Sequence, residues 1–349
     1  MSESEVCIYR ELGKERLAEI LAAIAKIKIG VIGDICLDIY WLADMTQSEL
    51  SRETPHFPLP VIEERISPGA GGNVAANAAA LQPAKVFVLS VLGRDWRGDM
   101  LLRELRQRSI DTRGVIVSQA RTTNAYCKPM RRGISDLLYE DPRIDFDNFT
   151  PLPEEDEQKL LQMLDETVPD IDVLCVSDQY QFGCISGGVR ERIRSLARQG
   201  LKVVADSRHR IGDYSDMYLK PNEIEAYQAV QMEGDPRRAS FAEQIRMARQ
   251  LAVRNRAKVC MTLGEKGCLY TDHGKLIHIP TCKSEPPLDI CGAGDTFLAA
   301  FAAALASGAR EWEAAAVGNL ASAVTIKKIN NTGTASRDEI LEKHAACAS

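Results

Sequence analysis

A three-layer α/β fold, with a mainly parallel central sheet and a small β lid, is what the sequence predicts. Two observations lead there. Short, nearly continuous apolar runs at 28–35, 85–93, 172–177, 201–207 and 257–264 have the composition of strands buried on both faces. Amphipathic stretches at 98–108, 189–199 and 241–254 alternate with them, as crossover helices do in a parallel sheet. Residues 36–66 and 114–146 break this alternation, with strand-like pieces and no good helix. They are expected to pair as a small sheet over the active site. No Gly-, Pro- or Ser-rich linker, internal repeat or low-complexity tract divides the chain. We therefore expect one domain over 26–349, carrying that lid and preceded by a helical extension at 1–25.

Taken in order, the first strand ends at Gly33-Asp34, and the last of the five contains Thr262–Gly264; both lie where ligands bind in open α/β sheets. The run at 74–81 follows a cluster of glycines and reads as a helix packed closely on the sheet. The G-E-K-G at 264–267 reads as a hairpin turn. An alanine-rich run at 296–306 has strong helical propensity, with Gly308 placed as its C-cap.

Composition narrows the function. A chain of 349 residues with 45% hydrophobic and 26% charged residues suits a large globular domain. A net charge of −6 supplies no basic field for nucleic acid or anionic lipid, so neither is expected as a partner. The apolar runs are shorter than the roughly 20 residues that cross a bilayer. The charged N-terminus lacks a signal-peptide core, so a cytoplasmic location is expected. Ten cysteines form no C-x-x-C pair and only five histidines are present, which argues against zinc. The cysteines are expected as small apolar fillers in a reducing compartment. Cys291 stands apart because it adjoins a glycine loop.

That loop is DICGAGDTF. Gly292, Ala293 and Gly294 are nearly bare backbone at a helix start, where unpaired amides favour an anion. A carboxylate at the same spot would repel a phosphate unless it has a task, and accepting a proton from an attacking hydroxyl is such a task. Asp295 is then a general base beside an anion hole. On this motif alone, helix capping by Asp295 is an equal reading.

Five motifs in order resemble the ribokinase-like (PfkB) family of sugar kinases: PGAGGNVAANAAAL (68–81), GRDWRG (93–98), KPNEIEA (220–226), TLGEKG (262–267) and DICGAGDTF (289–297). More narrowly, VIGDICLDIYW (31–41), LSRETPHFPLPVIE (50–63), PRIDFDN (142–148) and NTGTAS (331–336) are similar to the heptose-phosphate kinases of lipopolysaccharide core synthesis. Those enzymes phosphorylate the anomeric hydroxyl of D-glycero-D-manno-heptose 7-phosphate, and the end of this chain near 349 is expected to mark a kinase-only form. Where the family usually has two adjacent glycines, this chain has Gly69-Ala70.

The resemblance implies a ribokinase-like fold, ATP as phosphoryl donor, Mg²⁺, and a sugar or sugar phosphate as acceptor. Asp38 is the implied sugar-binding acid, with Asp34 also within reach, and Gly69, Gly71, Gly72 and Asn73 face the sugar. Asn222 and Glu225 organise Mg²⁺ through water, although the same pair reads as a capping box. Thr262, Gly264 and Gly267 border the nucleotide, and Asp289 marks the K⁺ site of some members. Of the lid arginines, Arg121 and Arg143 are chosen to meet a substrate phosphate. A homodimer through the lid is expected, covering Ile39, Tyr40, Trp41 and Leu42. The alternatives are a kinase for another sugar or nucleoside, and a catalytically silent sugar-binding relative.

Overall fold

The computed structural model describes residues 6–135, 137–272, 274–329 and 332–348; Asn331 of the NTGTAS motif lies outside them. Its helices are α1 (Lys14–Ala23), α2 (Gly71–Ala80), α3 (Trp96–Gln107), α4 (Glu154–Thr167), α5 (Gly187–Arg198), α6 (Glu223–Val230), α7 (Phe241–Asn255), α8 (Ala293–Ala306), α9 (Glu311–Thr325) and α10 (Arg337–Ala348). The five expected strands appear as Lys28–Gly33, Lys85–Gly93, Val173–Asp178, Lys202–Ser207 and Lys258–Thr262. They lie in one ten-stranded sheet. Its pairings are parallel except around the hairpin formed by Lys258–Thr262, Cys268–Thr271 and Leu276–Ile279. Val31, Val173, Val204 and Cys260 are fully or almost fully buried, as strands covered on both faces require.

The lid is a second sheet. Its long strand Ile35–Asp44 lies between Val61–Ala70, antiparallel, and Ala125–Arg132, parallel. Short strands Leu138–Glu140 and Ile144–Phe146 complete it. One expected lid piece belongs elsewhere. Residues 114–118 lie in the strand Asp111–Ser118, which pairs parallel with Lys85–Gly93 at the edge of the central sheet. They complete a strand–helix–strand crossover through α3, the arrangement a parallel pair demands.

From residue 6 on, the N-terminal segment packs on the body: Leu17, Ile20 and Leu21 of α1 are buried, and Cys7–Ile8 adds a parallel strand beside Leu276–Ile279. One further expectation is corrected: not all ten cysteines stand alone, since Cys282 and Cys347 form a disulfide. Cys36, Cys127, Cys175, Cys184, Cys260 and Cys268 are the buried fillers expected, while Cys7 and Cys291 are exposed. Among the described residues no helix is long and apolar enough to cross a membrane.

The disulfide closes a span of 65 residues between the loop before α8 and the last helix. Replacing Cys347 by Ser should lower stability by about 2–4 kcal/mol. Denaturant unfolding of wild type with and without reductant, compared with the variant, checks this; an unchanged midpoint under reductant would contradict the bond.

Candidate active site

The carboxyl ends of the central strands meet the lid where the two glycine motifs come together. α8 begins at Ala293, three residues earlier than its sequence suggests, so Gly294 and Asp295 lie in its first turn. Gly292 is its N-cap, at φ +77°, and no side chain caps the helix. The Ala293 amide donates to the Ile290 carbonyl at 3.2 Å, which leaves those of Gly294 and Asp295 for an anion. Gly292 is required twice over: its φ is left-handed, and a Cβ there would stand 2.6 Å from the Asn73 side-chain nitrogen.

Asn73, in the first turn of α2, donates from Nδ2 to Oδ2 of Asp295 at 2.9 Å. Asn77, one turn later, donates to Oδ1 of Asn73 at 3.0 Å and so fixes which end of that amide faces the acid. Asn77 is not among the residues expected from the sequence, where its i+4 spacing from Asn73 on one helix face is the signal that marks it. Burial raises the Asp295 pKa to about 7, against the lowering effects of Asn73 and Lys220. Part of the residue stays open to solvent.

Asp38 is buried, and burial lifts its pKa to about 6; Lys128, Arg143 and a hydrogen bond from Thr332 act in the opposite sense. Gly69 lets the carboxyl sit there, since a Cβ would come within 2.8 Å of it. Thr332 ties this acid to the glycine loop at the start of α8. Its hydroxyl lies 2.7 Å from Ser67, and its methyl would be 3.1 Å from a Cβ on Gly292. Lys128 also spans the gap, donating to the Tyr40 hydroxyl at 2.8 Å and standing 3.9 Å from Cys291 Sγ.

Several expected ligand contacts are structural instead. Asp34 accepts the amides of Gln179 and Tyr180 at 2.8 Å and of Cys184 at 2.7 Å, so its oxygens hold a loop and not a sugar. Arg121 is buried and donates to the carbonyls of Thr150 and Phe182. Gly71 donates its amide to the Asp34 carbonyl at 2.8 Å, and Gly72 packs on Pro68. Arg143 is near enough for its charge to lower the Asp38 pKa. It is half-exposed, paired with Asp145 at 2.6 Å and 4.2 Å from the Tyr126 ring centroid. In the lid, Ile39 and Tyr40 are buried within the chain, and the exposed apolar residues include Val61, Ile62, Leu138, Tyr139 and Ile144.

On the other flank, Asn222 caps α6 in a full capping box, and Glu225 accepts from its amide at 2.8 Å and from Nδ2 at 2.9 Å. Burial, then Asp206, raises the Glu225 pKa to about 7. Asn222 bridges to Thr262, which joins this motif to the hairpin. Gly264 and Gly267 turn that hairpin at φ +55° and +87°. Lys220 is buried, 3.0 Å from Asp206, and its Nζ lies 3.7 Å from where a Gly294 Cβ would be. Neither Lys220 nor Asp206 stands out in the sequence, because their pairing is non-local and leaves no local sign. Asp289 accepts the Cys291 amide at 3.0 Å, which shapes the turn into the loop. A cavity of about 750 Å³ lies beside the hairpin, lined among others by Glu265, Lys266, Lys283, Asn319 and Leu320. Among the described residues, no three His, Cys, Asp or Glu side chains converge to hold a metal.

A family model described as pfkB family carbohydrate kinase matches residues 64–337. The chain belongs to the pfkB family of carbohydrate kinases. It is 33% identical over 321 residues to the bifunctional protein HldE of Gluconobacter oxydans, 90% of this chain and 63% of that one. With HldE of Helicobacter pylori the identity is 30% over 322 residues, 90% and 65% of the two chains. This pfkB chain thus spans less than two thirds of the length of either relative. Its fold matches phosphofructokinase-2 from Escherichia coli, with TM-score 0.71, 19% identity and coverage of 93% and 100%. Arabidopsis thaliana ribokinase matches at TM-score 0.68, 18% identity and coverage of 91% and 99%.

Two predictions follow from this geometry. Ala70 sits at φ +51° and ψ −129°, a region that suits glycine, so Ala70→Gly should stabilise by about 1 kcal/mol in denaturant unfolding. For Asp295, the folded pKa of about 7 lies above the unfolded value. Between the two, the unfolded chain has shed a proton that the folded one keeps. The penalty grows as pH rises through that window and is complete above pH 7. Asp295→Asn should therefore raise stability by about 1–3 kcal/mol at pH 8 and by little at pH 4, as unfolding at both pH values will show.

Proposed function

We propose that this chain is an ATP- and Mg²⁺-dependent kinase whose acceptor is the anomeric hydroxyl of D-glycero-D-manno-heptose 7-phosphate. One observation carries the reading: a carboxyl titrating near neutrality, fixed by Asn73, at the uncapped start of α8 and beside the buried acid Asp38. Such a carboxyl, its pKa raised by burial to about 7, can accept a proton near neutral pH once a hydroxyl is positioned. Asp295 takes the hydroxyl proton, the acceptor oxygen bonds to the γ-phosphorus, and the bond to the β-phosphate oxygen breaks to release ADP. The amides at Gly294 and Asp295, with Lys220 behind them, stabilise charge on the transferring group.

The nucleotide-side residues fit an ATP–Mg²⁺ complex. Asn222 and Glu225 present hard oxygens, both already committed to a cap, so they would meet Mg²⁺ through its waters. Bound there, Mg²⁺ would offset phosphate charge. The cavity beside Gly264 and Gly267 has room for a nucleoside, and Asp289 remains the candidate for a K⁺ contact. On the sugar side, Asp38, Gly69 and Asn73 form the wall. Arg143 and Lys128 give the lid positive charge suited to a phosphorylated acceptor. The heptose motifs at 31–41, 50–63 and 142–148 and the identity to HldE favour that sugar. The exposed Val61 and Ile62 on the lid's edge strand support a homodimer through the lid.

Asp295→Asn should lower kcat by about a thousandfold or more while the affinity for ATP stays within about twofold. An unchanged kcat would refute the base. In wild type, kcat/KM should rise with pH and level off above an apparent pKa of about 7. A panel of heptose 7-phosphate, fructose 6-phosphate, fructose and ribose, assayed by ADP release, tests the substrate; preferred turnover of ribose or fructose would overturn the heptose assignment.

A further inference from the structure

The turn after Val173–Asp178 is held more firmly than a connection needs. Asp34 accepts three of its amides, and Gly183 lets the chain close over that carboxyl, since a Cβ there would stand 2.2 Å from Oδ1. Arg210 donates to the carbonyls of Tyr180 at 2.7 Å and Gln181 at 3.1 Å, and Arg121 donates to that of Phe182. All these bonds converge on the segment that carries Tyr180.

Among the described residues, the buried Tyr180 hydroxyl makes no well-formed hydrogen bond, although the Cys36 thiol and the Tyr126 hydroxyl stand beside it. Its ring stands against Tyr126 of the lid, with centroids 6.2 Å apart at 56°. Cys36 and Tyr126 are the polar neighbours that, after burial, raise its pKa. Cys36 Sγ in turn lies 4.0 Å from Oδ1 of Asp38 and would be 2.6 Å from a Cβ on Gly69. The orphan hydroxyl therefore borders the wall formed by Asp38 and Gly69. A buried hydroxyl without a partner is unfavourable, and a fixed loop that maintains one implies a partner arriving from outside. A phenol both donates and accepts, which matches a carbohydrate hydroxyl, and its ring offers the apolar face of a sugar a surface.

We propose that Tyr180 is a specificity-determining residue whose hydroxyl bonds a ring hydroxyl of the acceptor sugar beside Asp38, and that Asp34 is the positioning residue that holds it there. This rests on the sugar-kinase reading above. Tyr180→Phe removes only the unpaired oxygen, so Tm should be unchanged or slightly higher. The KM for D-glycero-D-manno-heptose 7-phosphate should rise about tenfold, while the KM for ATP stays constant. Asp34→Asn should also raise the acceptor KM, and that increase should largely vanish in the Tyr180→Phe background, because both act through one contact. An unchanged acceptor KM in Tyr180→Phe, or a fall in Tm with a parallel loss of ATP affinity, would overturn the assignment. Additive effects of the two substitutions would overturn the positioning role. Failure of wild type to phosphorylate any sugar of the panel would instead remove the kinase reading, and this inference with it.

Discussion

A single hydrogen bond, from Asn73 to Asp295, sets the terms for the rest of the site. A carboxyl useful as a base near neutral pH must be partly stripped of water, yet must not swing into the protein to find a partner of its own. One amide donor meets both needs: it anchors one oxygen and lowers the pKa only partway against burial. The bond also requires the starts of α2 and α8 to approach closely, so both helices are rich in glycine and alanine where they meet. The same demand reaches α9, where a Cβ on Gly318 would come 2.9 Å from the Phe297 ring. A larger residue there would push α8 and move Asp295 away from Asn73.

Charge is the second constraint. Asp206, Glu225 and Asp295 surround one buried lysine, Lys220. Removing a lysine and a carboxylate from water costs several kcal/mol per ion, which their mutual attraction roughly offsets, so the Lys220–Asp206 pair is poorly explained as a source of stability. Its position behind Gly294 gives it another use, as a fixed positive charge where phosphate charge would gather. With the lysine already committed to Asp206, Glu225 and Asp295 retain raised pKa values.

How far the sequence could be read depended on how local each feature is. The five apolar strands, the G-E-K-G hairpin and the uncapped glycine start of α8 are written in consecutive residues, and each could be placed within a few positions. Features made by residues distant in sequence could not. Asp34 and Asp38 share one short motif, but only the fold shows that Asp34 meets amides roughly 145 positions away while Asp38 faces Thr332. Arg121 looked like any lid arginine until its carbonyl partners at 150 and 182 were known. Cys282 and Cys347 carry no spacing signal at all. Residues 114–118 were assigned to the lid because β-branched composition says strand without saying which sheet.

The junction at Ala70 shows how the lid and the phosphate side are built as one object. Ala70 closes the lid strand by pairing with Ile35, and the next residue, Gly71, already belongs to α2 and donates to the Asp34 carbonyl at 2.8 Å. No linker separates strand from helix, so the reversal falls on one residue and forces its φ to +51°. An alanine is tolerated because its small side chain lies at a half-exposed point, where the positive φ, and not a clash, is the cost. Lengthening the turn would relieve that conformation, but it would also unpair Ile35 from Ala70 and shift Asn73 along the helix. The strain at Ala70 and the reach of Asn73 to Asp295 are therefore two consequences of the same missing linker.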